Sequence, residues 1–352
     1  MRKMLADLLT IDGLIDVIGT AKNGQEAIEK IETLTPDVIT MDVEMPILNG
    51  IDALKEIMKS KPIPIIMLSS LTKAGADITI KALQLGAFDF VAKPSGSISF
   101  DIKNVKNELI DKILIAHHQK EKWAKQWNIY SKPIQHPSKE ILIENCTSQG
   151  TDTNLLGIVA IGTSTGGPKA LQEVLPNLPS NFPYALLIVQ HMPAGFTKSL
   201  ANRLNSLSEI EVMEAEDGQL IEKGKAYIAP GQYHMVINKR GDQYYIRLNQ
   251  EPPVGRHRPS VDVMFASLKG IEMDTIAVVL TGMGNDGTKG LLDLKSKSNT
   301  IAIAEAEETC VVFGMPKSAI QSGMIDQIVP IQNISLKIIE SVRKQRGWQS
   351  WK

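Results

Sequence analysis

The stretch Leu156-Gly157-Ile158-Val159-Ala160-Ile161-Gly162-Thr163-Ser164-Thr165-Gly166-Gly167-Pro168-Lys169-Ala170-Leu171 decides the fold of the chain. It opens as an apolar run of strand length. It closes as a helix, with Ala170, Leu171, Val174 and Leu175 at helical spacing. Pro168 suits the first helical position, where a missing N–H costs nothing. Between the two lies a glycine-rich turn, and Gly162-Thr163-Ser164-Thr165-Gly166 matches G-x-S-x-G in the strand-turn-helix setting that this motif requires. Such a turn lifts a serine hydroxyl above the sheet edge, beside the free N–H groups and positive end of a helix. The same geometry also cradles phosphate, and a serine there also caps a helix, so the stretch alone leaves three readings open.

Composition narrows the class. The chain has 352 residues, enough for two domains, and 43% of them are hydrophobic. Its net charge of −1 gives no general electrostatic case for nucleic acid or an anionic membrane surface. No apolar run is long enough to span a bilayer, and Arg2, Lys3 and Asp7 interrupt any signal-peptide pattern. Cys146 lies in a polar stretch and Cys310 in an apolar one, so the reading is a cytoplasmic protein without a disulfide framework.

Strand and helix alternate on both sides of the serine turn. Ahead of it, Met1–Leu9 reads as a helix, Ile15–Ala21 as a strand and Gln25–Leu34 as a helix. Asp37–Asp42 reads as a strand, Ile51–Lys59 as a helix and Pro64–Leu68 as a strand. Ala74–Leu85 reads as a helix and Phe88–Ala92 as a strand. Val105–His117 follows as a helix. Beyond the turn, strands are expected at Tyr184–Gln190, Ala226–Ala229, Met235–Asn238, Tyr244–Leu248, Ile276–Leu280 and Ile301–Ala304. Alternation of this kind implies α/β architecture with parallel sheets covered on both faces. Three segments are expected: residues 1–118 as a first α/β domain, 119–154 as a linker of mixed charge, proline and glutamine, and 155–348 as a second, doubly wound and mostly parallel domain. His117, His118 and His136 carry no metal-ligand spacing.

The chemistry concentrates at strand ends. Ser164, His191 and Asp286 each terminate or follow an apolar strand, and in an open parallel sheet those ends line one crevice. A serine needs an imidazole to take its proton, and the imidazole needs an acid to hold its tautomer. His191 also reads as a structural histidine and Asp286 as a cap for the helix Gly287–Leu294; together with the serine turn they read as a triad. The loop Gly282–Gly287 offers backbone N–H groups to an oxyanion. Arg256-His257-Arg258-Pro259-Ser260 reads equally as a hold for an acidic substrate and as an internal salt-bridging segment.

In the first domain Asp42, Ser69 and Lys93-Pro94 close successive strands, and Met41-Asp42-Val43-Glu44-Met45-Pro46 with Asn49-Gly50 resembles a response-regulator receiver of flavodoxin-like fold. Combined with the serine turn, Gln190-His191-Met192-Pro193, Arg256–Val263 and Thr281–Gly287, this pattern resembles the CheB family of chemotaxis methylesterases over nearly the whole chain. The resemblance implies Ser164, His191 and Asp286 as the triad, with Thr165, Met283 and Gly284 supporting the oxyanion. It implies hydrolysis of glutamate γ-methyl esters on chemoreceptor cytoplasmic domains, glutamine deamidation, and no cofactor for catalysis. It further implies regulation by phosphorylation of Asp42 from a chemotaxis histidine kinase, sensed by Ser69 and Lys93. A non-catalytic receiver-linked adaptor is the alternative. Receivers of this type begin with an apolar strand ending in an acidic pair that binds Mg²⁺. Neither is present here, so Asp42 is the sole Mg²⁺ ligand carried over, and the expectation is that the natural reading frame extends upstream by about one strand and a loop.

Overall fold

The computed structural model describes residues 2–11, 13–93, 100–130, 155–296 and 299–346. They form two compact units, divided between Ile134 and Gln135.

In the first unit, helices α1 (Arg2–Thr10) and α2 (Gly24–Leu34) precede strand β1 (Ile39–Asp42). Helix α3 (Gly50–Ser60), strand β2 (Ile65–Ser69), helix α4 (Lys73–Gln84), strand β3 (Asp89–Ala92) and helix α5 (Phe100–Tyr130) follow. The three strands are parallel in the order β1-β2-β3. Asn23, Asn49 and Thr72 cap α2, α3 and α4 through their side chains.

Two expectations are corrected here. Ile15–Ala21 is irregular rather than a strand. A strand needs a ladder partner for its N–H and C=O groups, and β1, the edge of the sheet, is bordered on that side by a cavity of about 270 Å³. Ile15–Ala21 lines that cavity together with Leu5, Leu9 and Ile31. The second correction concerns residues 119–130, expected to open the linker. They continue α5, because Leu109, Ile113, Ala116, Trp123 and Trp127 keep one face at helical spacing. Trp123 is buried, stacks on Trp127 at 6.3 Å and meets the edge of Phe88 at 6.4 Å. Trp127 donates from Nε1 to the Met58 carbonyl at 3.2 Å, and Gly86 leaves room for its ring. The rest of the expected linker, with His136 and Cys146, lies outside the described residues.

The second unit begins with strand β4 (Gly157–Thr163), helix α6 (Gly167–Val174), strand β5 (Ala185–Gln190) and helix α7 (Phe196–Asn205). Strands β6 (Glu211–Glu214) and β7 (Lys225–Ile228) lead to the hairpin β8 (His234–Arg240) and β9 (Gln243–Asn249). Helix α8 (Val261–Ser267), strand β10 (Asp274–Val279), helix α9 (Thr288–Lys295), strand β11 (Thr300–Glu305), helix α10 (Met315–Gln321), strand β12 (Gln327–Val329) and helix α11 (Ile331–Gln345) complete it. The main sheet is parallel throughout, in the order β12-β11-β10-β4-β5-β7-β6. β4, β5 and β10 are buried along nearly their whole length, which is why they read as unbroken apolar runs. From β4 the strand order runs one way through β5 and the other way through β10, so the carboxyl ends of β4 and β10 flank the topological switch point, where open α/β sheets bind ligands.

Candidate active site

Ser164 leaves β4 at that switch point. Its amide donates to the Thr281 carbonyl at 3.1 Å, and the Thr163 hydroxyl donates to the same oxygen at 2.9 Å. The Thr281 hydroxyl returns a bond to the Thr165 carbonyl at 2.9 Å. From β5, Gln190 Nε2 donates to the Ser164 carbonyl at 2.9 Å. The serine turn is thus tied to the strand on each side. Gly166 caps α6 at φ 82°, the left-handed region that a side chain resists. A Cβ on Gly282 would lie 2.9 Å from that of Ser164 and collide with the Met315 sulfur, so only glycine lets this loop approach the serine.

His191 follows β5, with its amide bonded to the Thr163 carbonyl at 3.1 Å. Its Nε2 meets Asp286 Oδ2 at 2.7 Å, and both side chains are nearly buried. Asp286 also accepts from the amides of Val261 (2.7 Å), Asp262 (2.9 Å) and Gly287 (3.1 Å) and from the Ser260 hydroxyl (2.8 Å). The carboxylate therefore sits at the start of α8. Burial opposes its ionisation, but the His191 bond and charge, with the Asp262 and Val261 amides, outweigh that and pull its pKa down to about 2. Asp262 takes up the start of α9 in exchange, accepting from the Gly287 and Gly290 amides at 2.9 and 2.6 Å. Burial, aided by the charge of Asp286, raises the Asp262 pKa against those two amides.

With Nε2–H committed to Asp286, Nδ1 is the nitrogen left to accept a proton; it is buried and has no hydrogen-bond partner among the described residues. No hydrogen bond joins Ser164 Oγ to His191, and such catalytic bonds commonly tighten only with substrate bound. Sequence reasoning missed the amides of Val261 and Asp262 and the Thr281 and Gln190 ties. None of these groups stands at a periodic position that would mark it.

A family model described as CheB methylesterase matches residues 159–338, and one described as the response regulator receiver domain matches residues 1–100. The chain is 49% identical over 343 residues to the protein-glutamate methylesterase/protein-glutamine glutaminase of Geobacillus kaustophilus, an alignment covering 97% of this chain and 95% of that one. The chain belongs to the CheB methylesterase family. The Bacillus subtilis relative of the same description is 45% identical over 348 residues, covering 98% of this CheB-family chain and 96% of that one. The crystal structure of the Thermotoga maritima CheB methylesterase catalytic domain aligns with 53% of the chain and 98% of its own length, at a TM-score of 0.51 and 48% identity.

In the receiver of this CheB-family chain, Lys93 Nζ bonds Asp42 Oδ1 at 2.6 Å, and the Glu44 amide donates to the same oxygen at 3.0 Å. Ser69 does not join them. It is fully buried, and its hydroxyl donates to the Gly75 carbonyl at 3.1 Å, inside the first turn of α4. Among the described residues no cluster of three or more His, Cys, Asp or Glu side chains is placed to hold a metal ion.

Proposed function

We propose that Ser164, His191 and Asp286 hydrolyse glutamate γ-methyl esters on chemoreceptor cytoplasmic domains, and that the same three groups deamidate receptor glutamines. The observation that carries this reading is the His191–Asp286 bond at 2.7 Å beside the Ser164 turn at the switch point. Ser164 Oγ attacks the ester carbonyl and passes its proton to His191 Nδ1. Asp286, ionised down to about pH 2, balances the imidazolium. The tetrahedral oxyanion lies toward Met283 and Gly284, whose amides have no acceptor among the described residues, and toward Thr165. Collapse of the intermediate expels methoxide, which takes the proton from His191 and leaves as methanol. Water then enters by the same route, its proton going to His191 and its oxygen to the acyl carbon. Ser164 is regenerated and a glutamate carboxylate released. With a glutamine substrate, ammonia leaves in place of methanol.

No helix among the described residues is long and apolar enough to cross a membrane. The reading places the protein in the cytoplasm, with methyl-accepting receptors as substrate and a histidine kinase as phosphodonor to Asp42. Methanol release from receptor membranes methylated by the matching methyltransferase tests the activity. A protein that binds those membranes without releasing methanol would be an adaptor and would overturn the reading. A small-molecule phosphodonor supplied with and without Mg²⁺ tests the receiver.

A further inference from the structure

His257 lies flat against His191. The two rings are parallel within 4°, with centroids 3.8 Å apart. The backbone is built to put it there. Val254 and His257 exchange amide bonds at 3.1 and 2.9 Å across a tight turn whose central residues, Gly255 and Arg256, have φ of 57° and 72°. Two positive φ values in succession give the primed two-residue turn. Arg256 occupies the left-handed region without being glycine, a strain that persists only where surrounding bonds impose it. Those bonds come from Arg258, whose Nη1 donates to the Gln250 and Glu251 carbonyls at 2.9 and 3.0 Å and whose Nη2 donates to Gln232 Oε1 at 3.3 Å.

His191 needs such a support. Asp286 holds its ring at one atom, Nε2, and a planar ring fixed at one atom can still tilt. Tilting moves Nδ1, the nitrogen that must meet the serine proton. A flat ring against one face, together with the Asp286 bond at the edge, leaves a single plane. We propose that His257 is a positioning residue of the hydrolytic reaction, its ring serving as the rest that holds His191 in the plane from which Nδ1 takes the Ser164 proton. This rests on the reading of His191 as the base. It also assigns one residue of the basic segment 256–260 a role other than substrate binding.

The test measures kcat and KM for methanol release from methylated receptor membranes, using the full chain. His257→Phe keeps a flat ring and is expected within about three-fold of the parent kcat. His257→Leu removes the flat face and is expected to lose about 10- to 100-fold in kcat, the scale set by small misplacements of a catalytic group, with KM changed less than two-fold. Should His257→Leu fail to fold by circular dichroism, His257→Gln takes its place with the same expected loss. Parent-like kcat in His257→Leu overturns the proposal. So does a His257→Phe variant as slow as His257→Leu, which would make the imidazole rather than its flatness the essential feature. A raised KM at unchanged kcat would assign His257 to substrate contact and overturn it too. His191→Ala is run alongside: if it stays active, the base itself is misassigned, whereas an inactive His191→Ala with an unaffected His257→Leu removes the positioning role alone.

Discussion

Asp286→Asn is the most informative single change, because the structure dictates how the new amide must sit. Oδ2 faces two donors, His191 Nε2 and the Val261 amide. Oδ1 faces three, the Ser260 hydroxyl and the amides of Asp262 and Gly287. An NH₂ on the Oδ1 side would oppose two amides that cannot turn away. On the Oδ2 side it opposes one, Val261, and His191 can relieve the other conflict by moving its proton from Nε2 to Nδ1. That second arrangement is favoured, and it leaves Nδ1 protonated and unable to accept from Ser164. The expected kinetic loss is about 10⁴-fold, the scale seen when another serine triad is put in the wrong tautomer. The stability loss has two parts. One orphaned buried amide costs roughly 1–3 kcal/mol. The carboxylate's shift from 3.8 to about 2 corresponds to a further ~2 kcal/mol. The sign follows from the lowered pKa: this second part is present above about pH 4 and disappears as pH falls toward 2, so acid should narrow the gap between parent and variant. Urea unfolding at pH 7 and pH 3, with methanol release at pH 7, measures all three quantities. Turnover within ten-fold of the parent, or a stability gap that widens in acid, would refute this account of Asp286.

Ser164→Ala should lower methanol release by several orders of magnitude yet leave unfolding by urea within about 0.5 kcal/mol, since Oγ has no hydrogen bond among the described residues; near-parent release would dismiss the serine. Trp127→Ala, at a half-buried position, should destabilise the first unit by roughly 1–3 kcal/mol through the lost stack and the lost bond to Met58, read from the denaturation of that unit. A fragment spanning Leu155–Lys352 should fold alone and hydrolyse methyl esters, because its sheet and core are self-contained; an unfolded or inert fragment by circular dichroism and methanol assay would contradict this.

What the sequence disclosed follows from how the second unit is built. Strands buried on both faces read as apolar runs, and the residues that end such runs face one crevice, so Ser164, His191 and Asp286 were visible as strand-end residues before any contact was known. The exchange in which Asp286 takes the start of α8 and Asp262 the start of α9 was not visible, because it depends on two helices meeting side by side and not on any spacing within either. The His257 stack was hidden for a similar reason, since a turn in one loop aims it at the end of a distant strand. In the first unit, the polar composition of residues 119–130 concealed a helix whose packing rests on two tryptophans. Ile15–Ala21 shows the opposite error: strand propensity without a ladder partner does not make a strand.

The order of strands at the switch point also governs how the site comes into being during folding. β4 pairs with β10 in the register Gly157↔Asp274, a separation of 117 residues (274 − 157), while β4 and β5 pair across a far shorter stretch. Closing so long a loop costs chain entropy before any contact repays it, so pairing of this kind is slow. Ser164 and His191 therefore come into proximity early, on the β4–β5 half, while Asp286 and the loop after β10 arrive with the last and most distant pairing. Esterase activity in a refolding chain is then a clock for that final step: secondary structure should recover first, and turnover should return only when β10 has docked.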